Sequence, residues 1–217
     1  MSGFLRASAS WVFALLLFGS AFQASPAVFQ VTVNTNFVGV TGTNGNINLQ
    51  FSPGFDSQSA TASVSGFSSV GGTLNGAPSI IGGVTGALPG TVDFTNASSP
   101  NDYFHSFTFG TSFQFTLTLD GPAVNAPNGT ATSGSTFGIA LFDDAGTNAL
   151  LTVDPFGFAA ILDIGLDGSI TPTLFNADPN TPSIVSLSTS TAIPEPATIG
   201  TLAAALFALG VYSRHKR

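Results

Sequence analysis

The chain has 217 residues, no cysteine and a formal net charge of −7, and only 7% of its residues are charged. Its four basic residues are Arg6, Arg214, Lys216 and Arg217, so no Lys or Arg accompanies the ten Asp and the single Glu that lie between residues 6 and 214. This excludes disulfides, thiolate chemistry and cysteine-based metal sites, and it makes nucleic acid and anionic headgroups poor partners. Divalent cations and neutral glycans remain compatible with such a surface. Without Lys or Arg, the fold must rest on apolar burial and hydrogen bonds rather than ion pairs.

At the N-terminus, Arg6 precedes an unbroken apolar run over residues 11–18, and small residues follow. This is the pattern of a secretory signal peptide, with an apolar run too short to span a bilayer. Cleavage after Ala21 or after Ala27 satisfies the small-x-small rule. Ala27 is preferred because a strand-like alternation starts beside it, which sets the signal peptide at 1–27.

The body, residues 28–175, reads as β structure. Phe29, Val31 and Val33 alternate with Gln30 and Thr32; Ile47, Leu49 and Phe51 alternate with Asn48 and Gln50. Phe113, Phe115, Leu117 and Leu119 alternate with Gln114, Thr116 and Thr118, the clearest such run in the chain. A period of two marks a strand with one face buried and the other wet. Further runs lie at 60–70, 91–95, 103–109, 137–142, 158–166, 169–175 and 183–188, with Gly, Pro, Asn and Asp between them. Residues 109–113 read as a hairpin turn, and Asp167-Gly168 as a second one joining two strands directly. Residues 70–90 read as a long Gly-rich loop with at most one short strand at Ile80-Ile81, and 122–134 as a polar loop. Nine to eleven strands and no helical periodicity predict an all-β fold, a single jelly-roll-like β-sandwich. The alternating members of its 21 Phe are expected between two sheets.

Residues 176–193 are rich in Pro, Ser and Thr and read as an extended linker. The chain then runs Pro194-Glu195-Pro196, an uncharged stretch over 197–212, and a basic tail with Arg214, Lys216 and Arg217. As a helix the stretch would be roughly 24 Å long, a little under a hydrocarbon core of about 30 Å. The stems of Arg214 and Lys216 would cover the shortfall. The basic cluster stays on the cytoplasmic side, so the body is expected outside.

This order of parts, an exported chain ending in Pro194, Glu195 and Pro196, an apolar helix and then Arg214, Lys216 and Arg217, resembles the PEP-CTERM sorting proteins of bacteria. The resemblance covers about a tenth of the chain. It implies recognition and cleavage of the tail by an exosortase, a membrane-embedded cysteine transpeptidase, after delivery by the Sec export machinery. It also implies membrane anchorage before processing and a cell-surface or extracellular location afterwards, where exopolysaccharide would be within reach. More loosely, residues 34–54, Asn101-Asp102-Tyr103-Phe104 and Ser106-Phe107-Thr108-Phe109-Gly110 resemble a family of small PEP-CTERM proteins of unknown function, which implies no activity.

Little else carries chemistry. His105 falls in register with Tyr103 and Phe107, where a hydrogen-bonded core or rim histidine is expected rather than a base, which would need a nucleophile in reach. Asp143, Asp144, Asp154, Asp163 and Asp167 crowd one quarter of the sequence. Asp163 and Asp167 are weak calcium candidates, because calcium needs six to eight oxygens and several converging carboxylates. Otherwise these are turn-forming Asp on a wet surface. No pair of acids is marked for glycoside hydrolysis, and Glu195 lies in the sorting motif. The reading is a non-enzymatic exported protein with no cofactor. The alternative is a membrane-tethered β-sandwich that binds a neutral glycan or calcium.

Overall fold

A computed structural model describes residues 25–190. Most of the expected signal peptide, the motif Pro194, Glu195 and Pro196, the apolar stretch 197–212 and the basic residues Arg214, Lys216 and Arg217 lie outside the described residues.

The domain is all-β, with two antiparallel sheets. The first has six strands in the order β13 (Val185–Ser190), β1 (Ala27–Asn34), β9 (Ser112–Asp120), β3 (Thr61–Val70), β7 (Val92–Thr95) and β6 (Val84–Gly86). The second has seven: β12 (Ile170–Leu174), β11 (Phe158–Ile164), β10 (Ser135–Asp143), β2 (Asn44–Pro53) and β8 (Asp102–Thr108), with β4 (Thr73–Leu74) and β5 (Ser79–Ile81) both paired along β8. The one helix among the described residues is a single turn, α1 (Pro122–Asn125).

The alternation seen in the sequence becomes the core. Phe29, Val31 and Val33 of β1, the four apolar residues of β9, and Ile47, Leu49 and Phe51 of β2 are all buried. The two sheets meet through aromatic pairs. Phe94 of β7 lies edge-on to Phe137 of β10 at 5.6 Å, and Phe113 of β9 packs on Phe107 of β8 at 5.7 Å. Each fully buried Phe contributes about 1.5–3 kcal/mol by area, and such aromatic contacts add about 0.5–1.5 kcal/mol. With no Lys or Arg available, side-chain amides tie the loops down. Buried Asn96 accepts the Ala60 amide at 2.8 Å and donates to the Gln58 carbonyl at 2.7 Å. Buried Asn101 donates to the Phe51 carbonyl at 2.8 Å and accepts from the Gly83 amide at 2.7 Å.

Three local expectations are corrected. Residues 109–113 are not a hairpin, because β8 and β9 belong to different sheets. The segment is a crossover held by both: the Phe109 amide donates to the Thr43 carbonyl at 2.9 Å, and the Thr111 amide to the Val70 carbonyl at 2.9 Å. Long-range pairing of β8 with β2, and of β9 with β1 and β3, outcompetes the local turn. The Gly-rich stretch 70–90 holds three short strands rather than at most one, and this brings the count to thirteen among the described residues. The 176–193 stretch is not all linker. Ala177, Ile184 and Val185 are buried, and β13 pairs with β1 from Val33↔Val185 to Val28↔Ser190. The Asp167-Gly168 turn does join β11 directly to β12 as expected.

Ala27, expected as the last residue of the signal peptide, is the first residue of β1 and pairs with Leu119. The start of β1 and the end of β13 are neighbours, so the chain enters and leaves at one end of the domain. The registers place Pro53, Ser135 and Ile164 in a row in the other sheet, and the loop from Pro53 to Thr61 joins the sheets at this same end.

Candidate functional site

The five clustered Asp do not converge. Asp143 accepts from the Thr147 and Asn148 amides at 2.9 and 3.2 Å and from the Asn148 side chain. Asp154 accepts from the Phe158 amide at 2.9 Å, and Asp167 from the Ser169 hydroxyl and amide at 2.6 and 3.0 Å. Each closes its own turn, as short acidic side chains do. Donors from Asn148 and Ser169 hold Asp143 and Asp167 below the usual carboxylate range. Asp163 instead lies on β11, half-buried, and accepts from the Thr136 hydroxyl. β11 ends at Ile164, so Asp163 lies on the strand and Asp167 falls in the turn after it. Among the described residues, no group of three or more His, Cys, Asp or Glu is arranged to hold a metal ion.

Asp163 acquires a setting that the sequence did not reveal. Ser52 pairs with Thr136, Thr136 with Asp163, and Asp163 with Thr171. Their chain neighbours Phe51, Phe137 and Leu162 point into the core, so by strand alternation this row lies on the outer face of the seven-stranded sheet. The row borders an open groove of about 430 Å³ lined by Ser52, Ser133, Gly134, Ser135, Thr136 and Asp163. That volume falls within the usual range for ligand clefts, roughly 300–1,000 Å³. Two glycines let the walls approach. A Cβ on Gly134 would lie 1.8 Å from the Ile164 carbonyl oxygen, and one on Gly54 would lie 2.5 Å from the Ser133 hydroxyl. Beside Gly54, Phe55 is 90% exposed, and its carbonyl accepts from the hydroxyl of Ser133 on the neighbouring segment. Ser52, Thr136 and Thr171 were not singled out from the sequence, because alternation gives faces and only pairing gives registers.

A second open groove, of about 420 Å³, lies over β3, β7 and β6, where Thr61, Ser63, Thr85, Asp93 and Thr95 line it. Its one aromatic, Phe94, is buried.

His105 occupies neither groove. It lies inside the sandwich, 2% exposed, with Nδ1 2.6 Å from the Tyr103 hydroxyl and Nε2 3.1 Å from the Gly76 carbonyl. Burial lowers its pKa. Its hydrogen-bonding partners are the phenol of fully buried Tyr103 and a backbone carbonyl. This makes it a structural histidine.

Together these features define an all-β, two-sheet domain with a hydroxyl-rich groove at one end. No family model, curated protein or solved structure matches the chain.

Proposed function

We propose that this chain is an exported, non-enzymatic protein of the cell surface or extracellular matrix, whose C-terminal signal is recognised and cleaved by an exosortase-type transpeptidase. One observation carries the reading: Pro194-Glu195-Pro196, an uncharged stretch and the basic Arg214, Lys216 and Arg217 follow one another at the C-terminus. The Sec machinery would deliver the chain, the apolar stretch would anchor it until processing, and the jelly-roll-like sandwich would then stand at the surface or be released.

The fold is compatible with such a cut. The described residues of β13 run to Ser190 and the motif starts at Pro194, so cleavage at the motif leaves all of them in place. Only residues 191–196 separate β13 from the apolar stretch, and six extended residues reach at most about 20 Å. The anchored domain would therefore sit close to the membrane, with the end carrying Ala27 and Ser190 towards it.

Intact mass measurement of the protein from its native host, after separation of membrane and medium, tests this. A species starting near Val28, ending near Pro194–Pro196 and found outside the membrane is the expected result. Retention of Arg217 in the membrane fraction, or an unchanged mass when the host's transpeptidase is deleted, would refute the processing.

A second reading is a binding module for a neutral glycan. The exposed Phe55 beside a hydroxyl-lined groove favours it. The calcium form of that reading gains nothing from the structure, because Asp163 and Asp167 each serve separate local hydrogen bonds.

A further inference from the structure

We infer that the outer-face row Ser52–Thr136–Asp163–Thr171, with Phe55 at its rim, is a binding site for a neutral oligosaccharide segment. The inference rests on the glycan-binding reading and specifies its site and ligand class.

The lining selects the chemistry. The Ser133 and Thr136 hydroxyls already donate to the Phe55 carbonyl and to Asp163 and so offer lone pairs, Ser52 can donate or accept, and Asp163 is a fixed acceptor, a lining that receives the O–H donors of a ligand. One Asp163 oxygen is engaged by Thr136, and among the described residues no other donor to this carboxylate is present. The second oxygen is thus available to a ligand hydroxyl, in a charge-assisted hydrogen bond of the stronger kind. An anionic ligand would meet this carboxylate in a domain with no Lys or Arg to offset it. A compact apolar ligand would find a polar, open trough instead of an enclosed apolar cavity. A neutral polyol satisfies both constraints.

The shape selects length. Neighbouring strands are about 4.8 Å apart, so the four-strand row extends roughly 14 Å. That suits a short run of sugar rings better than one ring. Gly54 and Gly134 let the floor segments pack closely, since a side chain at either would meet Ser133 or the Ile164 backbone. Phe55 supplies what the groove over β3, β7 and β6 lacks, an exposed aromatic face. Aromatic rings combine apolar area with a polarised face, and the C–H face of a pyranose stacks on such a ring. The Ser133 hydroxyl bound to the Phe55 carbonyl ties the Phe55 backbone to the groove lining.

The test is affinity electrophoresis of the full-length protein in native gels containing a neutral glucan, a neutral galactomannan or, as acidic counterpart, alginate. The expected result is retardation by a neutral polymer, weakened tenfold or more by Phe55→Ala and by Asp163→Asn. Phe156→Ala serves as control: Phe156 is 82% exposed in the loop between β10 and β11, at the other end of the sandwich, and its loss should change nothing. Melting temperature verifies that each variant is folded, and Phe55, being exposed, is replaceable without harm to the core. Retardation that survives both site variants would overturn this site and leave glycan binding standing. No retardation by either neutral polymer would overturn the glycan reading and this site with it. Preference for alginate would overturn the ligand class.

Discussion

The phenolic oxygen of Tyr103 lies 2.6 Å from Nδ1 of His105 and also accepts the Leu88 amide proton at 2.9 Å. With that amide donating to the oxygen, the phenol proton points to Nδ1, so the histidine proton sits on Nε2 and is donated to the Gly76 carbonyl. The gap between β4 and β5 along β8 falls opposite His105. One imidazole and one phenol thus tie the Gly-rich 75–88 segment to the core.

Replacing Tyr103 with Phe removes the shared hydroxyl and leaves the Leu88 amide and Nδ1 unpaired. Each orphaned buried group costs about 1–3 kcal/mol. Urea unfolding at pH 7.5 should show a lower midpoint with an unchanged slope.

The same network sets a pH dependence. Burial lowers the His105 pKa from its ordinary 6.5, so below that pH the unfolded chain binds the proton more readily than the folded one. Stability from this group therefore falls as pH drops below 6.5, and levels off once the folded state also protonates. Protonated Nδ1 would present a second donor to a phenol oxygen already receiving the Leu88 amide. The phenol proton would then lose its acceptor. Unfolding midpoints from pH 8 to 5 should decline, and His105→Gln should flatten the decline.

Asp102 has the opposite sign. It lies on β8 beside Tyr103, and by strand alternation on the other face; its carboxylate accepts from the Asn48 side chain. Burial raises its pKa above 3.8, outweighing the Asn48 bond. Its favourable contribution is present below 3.8 and is lost as pH rises through the raised value. Asp102→Asn should therefore be neutral or stabilising at pH 7. The gain should be no more than about 1 kcal/mol, because the group is half-exposed and solvent screens it. Melting curves at pH 7 and at pH 3 should show the difference shrinking at the lower pH.

The corrected boundary at β13 makes a truncation prediction. A chain ending at Ser190 keeps the whole six-stranded sheet; one ending at Ser183 loses β13 with buried Ile184 and Val185. Two such side chains are worth about 1.5–3 kcal/mol each, a large part of a typical total of 5–15 kcal/mol. Circular dichroism melts should be near wild type for the longer form and strongly lowered or absent for the shorter.

Gly110 at the crossover has no room for a side chain. A Cβ there would lie 2.0 Å from the Val70 carbonyl oxygen and 2.4 Å from the Gly72 amide nitrogen. These are backbone atoms fixed between two sheets and cannot rotate away. Gly110→Ala should destabilise by about 1–3 kcal/mol or more, whereas Gly76→Ala, with open space but a φ of +67°, should show only the strain of a left-handed residue. Thermal denaturation of the two variants side by side checks this.

The sequence by itself determined the β class and most of the core. Period-two alternation fixes which residues share a face, so Phe29, Val31 and Val33 and the apolar residues of 113–119 were legible as buried. His105 could be read as a core residue from its register with Tyr103 and Phe107. The C-terminal order of Pro194-Glu195-Pro196, uncharged stretch and basic residues, on which the proposed sorting rests, also lives wholly in the sequence, because it is carried by local order of residue types. Tertiary structure alone decided which strands are neighbours. Pairing energy is spread over long-range backbone bonds that carry no local sign. That is why residues 109–113 became a crossover, why the run read at 183–188 found its place beside β1, and why Ser52, Thr136, Asp163 and Thr171 came into one row from four separate segments.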